Sequence, residues 1–206
     1  MLTFLYAQDL DARPLLRDSM FRDRAAQFQA RLGWPVNVDD AGREQDQYDA
    51  LNPLYVIWER PDGRHGGSAR FLPTTGRTMV NEHFLHLTDG VEFRSPFIWE
   101  CTRFCLAPGA DARVAPALML GGGELMRAFG LTHLVGVFDS FMTRVYNRIG
   151  ATPEVLGSRD GIAVGLWHEE SAMRDRLLAR AGLTNDIVEA CFDRDFGGEE
   201  AWALSA

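Results

Sequence analysis

The chain has 206 residues, enough for one sizeable hydrophobic core and marginal for two. Its composition, 46% hydrophobic and 24% charged, is that of an ordinary globular domain. The formal net charge of -8 excludes a broad DNA- or RNA-binding face, which needs a basic stripe. No apolar run reaches the length of a membrane span, and Met1 to Leu10 has no basic n-region of a signal peptide. Cys101, Cys105 and Cys191 have no CxxC spacing, which points to reduced, buried thiols and a cytoplasmic setting.

In chain order, residues 14–32 read as a helix that begins at Pro14 and stops at Gly33. Met20, Arg24 and Phe28 follow at intervals of four and share one face. An acidic loop follows Trp34 and Pro35 and holds Glu44, Asp46 and Asp49, with Trp34, Tyr48 and Tyr55 as its aromatic surroundings. Such a run is usually a solvated loop; the aromatic residues also allow a binding loop. Residues 54–59 and 66–72 read as strands joined by a turn at 60–64, with Arg70 in the second. A short helix is expected over 77–87.

The stretch Ser95 to Leu106 reads as a strand buried on both faces, yet it carries Glu100 and Arg103. Strand alternation points Glu100 with Ile98 and Thr102, and Arg103 with Trp99 and Cys101. The two charges serve one site only if a bulge breaks that alternation; otherwise a structural ion pair explains them. Residues 115–129 read as a helix containing Gly121-Gly122-Gly123, which lacks phosphate-loop spacing and suits close packing instead. A strand at 132–138, a helix at 140–149 and a hairpin at 154–156 and 162–167 follow. Helices at 170–181 and 184–194 close a chain expected to form one mixed α/β (α+β) domain over 1–206.

Several of these segments taken together resemble the acyl-homoserine lactone synthases, the autoinducer synthase family. The matching text is Phe21-Arg22-Asp23-Arg24-x-x-x-Phe28 through Gly33-Trp34, Glu44-x-Asp46-x-Tyr48-Asp49, Ala69-Arg70-Phe71-Leu72-Pro73, Glu82-x-Phe84 and Trp99-Glu100-Cys101-Thr102-Arg103-Phe104. The resemblance implies an N-acetyltransferase-like fold, a mixed and mostly antiparallel sheet with a V-shaped cleft. It implies S-adenosylmethionine as substrate and an acyl-acyl carrier protein or acyl-CoA as donor, with no separate cofactor and no metal. The residue types suit that chemistry. Glu100, buried in an apolar strand, is the expected base. Arg24, Phe28, Trp34, Asp46 and Arg103 are expected to hold S-adenosylmethionine through forked guanidinium contacts, carboxylate contacts and stacking. Glu44, Asp49 and Arg70 form a supporting ion-pair network, and Phe84, Trp99, Leu125, Met126 and Phe141 are expected in an acyl pocket. Arg144, Arg148 and Arg159 are the candidates for docking an acidic carrier.

The sequence departs from the family in carrying Thr102 where serine is usual. It reads Val137-Phe138-Asp139-Ser140 where members preferring 3-oxo chains carry a threonine, and Thr143 lies a helical turn later. Other readings are an N-acyltransferase acting on another amino acid, a metal-dependent hydrolase using Asp46, Asp49 and Glu100, and a binding module without turnover.

Overall fold

A computed structural model describes residues 1–197. Its frame is a seven-stranded sheet of order β1-β2-β3-β4-β5-β7-β6. The strands are β1 (Leu2–Tyr6), β2 (Leu54–Glu59), β3 (His65–Pro73), β4 (Ile98–Leu106), β5 (His133–Asp139), β6 (Glu154–Arg159) and β7 (Ile162–Trp167). Every neighbouring pair is antiparallel except β4 and β5. Strand β1 has no counterpart in the sequence reading. Its alternation sends Leu2 and Phe4 into one core cluster and Leu5 into another, so it is covered on both faces.

The main core lies on one face, where α3 (Val114–Phe129), α4 (Met142–Ile149), α5 (Ser171–Ala181) and α6 (Asn185–Phe196) pack. The triple glycine is part of that packing. A Cβ on Gly121 would lie 2.4 Å from Val56 Cγ1, so α3 approaches the sheet more closely than any side chain there allows. The opposite face carries α1 (Pro14–Ala25) and the short α2 (Met79–His83). Two smaller apolar clusters cover it, one around Leu16, Met20 and Ile57, the other around Val80, Val135 and Val164.

Three local departures from regular geometry prepare the site. The helix expected over 14–32 is α-helical only to Ala25 and then widens into a π-helical turn over Ala26–Arg31, a feature often found at functional positions. In the β3–β4 register, Ser68 faces Cys105 whereas Arg70 faces Thr102, so β4 holds one extra residue. Arg103 occupies that bulge with φ +52°, a left-handed conformation uncommon for a large side chain. Finally, β4 and β5 pair only from Ile98–His133 to Glu100–Val135, and their remaining residues form no ladder with each other. The parting strands leave a V-shaped cleft with Glu100 at its apex.

Candidate active site

The bulge decides how the strand's charges are used. Before it, Glu100 and Thr102 lie on the α1 face and Trp99 and Cys101 on the main-core face, as alternation requires. The extra residue puts Arg103 beside Thr102 on the α1 face and returns Phe104 to the main core. Glu100 and Arg103 therefore share one side of the sheet. The backbone conformation of Arg103 has an energetic cost of order 1–3 kcal/mol, which its surrounding ion pairs must offset.

Those ion pairs join three guanidinium groups to three carboxylates in a charge-balanced cluster. Arg24 donates from Nε to Glu44 at 2.6 Å and through both terminal nitrogens to Asp49 at 2.9 Å. Arg70 donates to Asp46 at 2.5 and 3.0 Å, to Asp49 at 2.8 Å and to Thr102 Oγ1 at 3.0 Å, joining the acidic loop to the sheet. Arg103 reaches Glu44 at 3.0 Å and Asp46 at 2.7 Å. Tyr55, opposite Arg70 in the β2–β3 register, donates its hydroxyl to Asp49 at 2.5 Å. The flanking arginines hold the Asp49 carboxyl far below the usual carboxylate range, and that charge in turn raises Arg24 and Arg70. The acidic loop is thus folded inward, the reverse of a solvated run.

Exposure sorts the three arginines. The side chains of Arg24 and Arg70 are 1% and 0% exposed, whereas that of Arg103 keeps 9%. This corrects one expectation. Arg24 is enclosed, and its nitrogens are committed to Glu44 and Asp49, so it stands behind the site and presents no free fork to a ligand. The π-helical turn buries Phe28 and stacks it on the half-buried Trp34, with ring centroids 5.2 Å apart and planes 8° from parallel. The Arg103 guanidinium lies 5.4 Å from the Phe28 ring centre.

Glu100 is 1% exposed. One carboxylate oxygen accepts from Val80 N at 2.6 Å and the other from Met79 N at 3.0 Å, in the first turn of α2. Burial pushes the carboxyl up to about 7, and the two amide N–H groups restrain that rise by favouring the charged form. A carboxylate with about four acceptor directions keeps room for a further donor after binding two amides.

The expected acyl-pocket residues are not brought together. Leu125 and Met126 are buried in the main core, where Trp99 stacks on Phe129 at 5.2 Å. Phe84 packs with Val80 and Leu87 on the opposite face, and Phe141 is 57% exposed. The sheet separates the first three from Phe84, so the set is not one pocket. Met126 does line an apolar cavity of about 40 Å³ with Leu134 and Trp167. Nor are the acidic residues set as metal ligands: among the described residues no three His, Cys, Asp or Glu side chains are placed to hold a metal ion, and arginines occupy Asp46 and Asp49.

Sequence reasoning did not assign Tyr55 or the Met79 and Val80 amides to the site. Tyr55 was within reach, because pairing β2 with β3 sets it opposite Arg70. The two amides carry no side-chain signal.

The chain matches known proteins. A family model described as autoinducer synthase matches residues 8–165. The acyl-homoserine-lactone synthase of Rhizobium etli is 44% identical over 201 residues, covering 92% of this chain and 93% of its own. The chain belongs to the autoinducer synthase family. As a synthase of this family it is an acyltransferase. The crystal structure of TofI, in a ternary complex with an inhibitor and MTA, is similar at TM-score 0.65 and 29% identity, covering 83% of this chain and 91% of TofI. At the level of fold alone, an acyl-CoA N-acyltransferase from Pseudomonas aeruginosa superposes with TM-score 0.54 at 13% identity, covering 81% of this chain and 98% of that one. Among the described residues no helix is long and apolar enough to cross a membrane.

Proposed function

We propose that this synthase makes an N-acyl-L-homoserine lactone from S-adenosylmethionine and an acyl thioester, with Glu100 as the base. S-adenosylmethionine is consumed as a substrate, and the reaction needs no further cofactor. The α-ammonium of S-adenosylmethionine loses a proton, and the free amine attacks the thioester carbonyl. The tetrahedral intermediate then expels the thiolate, which ends as a free thiol. In the lactonising step the methionyl carboxylate attacks its own γ-carbon and breaks the bond to the sulfonium sulfur. Methylthioadenosine departs with that electron pair.

The observation that carries the reading is Glu100: a buried carboxyl at the apex of the parted strands, with its pKa pushed up to about 7. A base near the working pH is both largely ionised and able to take a proton from an ammonium held close by, directly or through one water. On the same face, Arg103 is the guanidinium with an exposed edge and suits the methionyl carboxylate. The outer face of Trp34 suits the adenine or the sulfonium. Asp46, 10% exposed at the edge of the network, suits the ammonium. Phe28 holds the Trp34 plane, and Arg24, Glu44, Asp49 and Arg70 keep Arg103 and Asp46 in position. The donor is an acyl-acyl carrier protein or an acyl-CoA, drawn with S-adenosylmethionine from the cytoplasm. Arg144, Arg148 and Arg159 are exposed and can face an acidic carrier.

The test is an incubation of purified protein with S-adenosylmethionine and a pool of carrier-protein and CoA thioesters, read by mass spectrometry. Equal amounts of methylthioadenosine and an acyl-homoserine lactone are expected. An acylated amino acid without methylthioadenosine would replace the synthase reading with a simple N-acyltransferase.

A further inference from the structure

The main-core side of the cleft holds a phenol that the reaction above does not use. Tyr146, in α4, is 6% exposed, and its ring is held edge-on by three others. The centroids lie 5.1 Å from Trp167, 5.2 Å from Phe138 and 6.5 Å from Phe104. Phe104 belongs to β4 and Phe138 to β5, both beyond the last paired residues of those strands. The Tyr146 ring therefore spans the open part of the cleft from behind, on the face opposite Glu100.

Its hydroxyl has no hydrogen-bond partner among the described residues, although buried phenols normally find one. Nor is it sealed in: of the fully enclosed polar side-chain atoms among the described residues, only Thr78 Oγ1 lacks a partner. Burial raises the phenol above its ordinary range, so it stays a neutral O–H donor at any working pH; Cys101 and Asp139 are its titratable neighbours, and neither is bonded to it. The side chains packed against its ring are aromatic, Phe104, Phe138 and Trp167. The cleft thus offers one rigidly placed O–H donor in an apolar setting.

We propose that Tyr146 is a specificity-determining residue whose hydroxyl donates to an oxygen on the acyl chain, so that the enzyme selects acyl thioesters carrying a hydroxy or oxo group near the thioester end. The selection rests on the synthase reading above. An unsubstituted chain leaves the phenol unpaired in an apolar site, and a site built around a hydrogen bond rejects the analogue that cannot make it.

The test is a competition between 3-hydroxy, 3-oxo and unsubstituted acyl thioesters of one chain length, on one carrier at a time, for wild type and Tyr146→Phe. Lactone ratios measure relative kcat/KM. The wild type should favour the oxygenated donors by about 10- to 100-fold. Tyr146→Phe should lose that preference while retaining turnover of the unsubstituted donor within about threefold. Its melting temperature should match or exceed that of the wild type, because the hydroxyl it loses has no protein partner. An indifferent wild type, or an equal loss for all donors in Tyr146→Phe, would overturn the proposal; the latter would place the hydroxyl at the thioester sulfur. If no donor yields lactone, the synthase reading fails separately. Thermal stabilisation by 3-hydroxyacyl- against acyl-homoserine lactone then decides the Tyr146 contact, equal stabilisation of wild type counting against it.

Discussion

Replacing Asp49 by asparagine tests whether the buried ion cluster is one unit. Asp49 accepts from Arg24 twice, from Arg70, from the Tyr55 hydroxyl and from the Asp46 amide, at 2.5–2.9 Å. Asparagine keeps the volume but removes the charge, leaving three guanidinium groups against Glu44 and Asp46. One buried positive charge is then uncompensated, and arginine cannot neutralise itself by releasing a proton. The new amide also turns N–H donors toward groups that are themselves donors. Breaking a buried pair from one side costs about 3–5 kcal/mol. For a chain of this length that corresponds to a fall in Tm of about 10 °C. Urea unfolding followed by tryptophan fluorescence should show the midpoint moving at constant slope. The pH dependence is a second check. Because the Asp49 pKa is depressed, its stabilisation is present above the unfolded value of 3.8 and is lost only as pH falls below it. The deficit of Asp49→Asn should therefore be constant from pH 5 to 9. A loss below about 1 kcal/mol would refute the claim that the cluster is desolvated and mutually dependent.

Glu100 has the opposite sign. Its folded pKa is raised from 4.5 to about 7, so between those values the folded state binds more protons than the unfolded chain. Wild-type stability should fall by about 3 kcal/mol as pH rises through that window, and Glu100→Gln should flatten the slope in matched unfolding series. In α3, Gly121→Ala should destabilise by about 1–3 kcal/mol, because its Cβ would meet Val56 at 2.4 Å. Gly123→Ala, whose nearest neighbour would be Arg174 at 4.0 Å, should stabilise by about 0.5–1 kcal/mol in the same melts. Trp34→Ala should weaken S-adenosylmethionine binding about tenfold in calorimetry, through loss of a stacking and cation–π face; unchanged affinity would remove Trp34 from the site.

Much of the fold can be read from periodicity, because β2 to β5 and α3 to α6 carry their apolar faces in regular order. What escaped depends on long-range pairing. Strand β1 is five residues long, and only its partnership with β2 distinguishes it from a loop. The widening of the first helix at Ala26 leaves no breaker residue in the sequence. At Arg103, alternation predicted the wrong face, and only the presence of a second charge three residues away hinted at a bulge. Arg24 shows a further limit. Its spacing from Met20 and Phe28 identifies its face, but whether it is presented to a ligand or enclosed depends on where the acidic loop folds back, through Glu44 and Asp49. The acyl-pocket residues were chosen for apolar character alone, which cannot tell the two sides of a sheet apart. Tyr146 showed no sequence pattern of its own; its significance lies in an unpaired hydroxyl, visible only once Phe104 and Phe138 are brought to either side of it.

The central claim is that a buried carboxylate with a near-neutral pKa activates the amine, and Glu100→Gln addresses it most directly. Initial rates of lactone and methylthioadenosine formation, measured with S-adenosylmethionine affinity on the same preparations, separate chemistry from binding. The account predicts a fall in kcat of about 10²–10⁴ with affinity changed by less than about threefold, and loss of the rate increase near pH 7. Wild-type turnover and an unaltered pH profile in Glu100→Gln would contradict it.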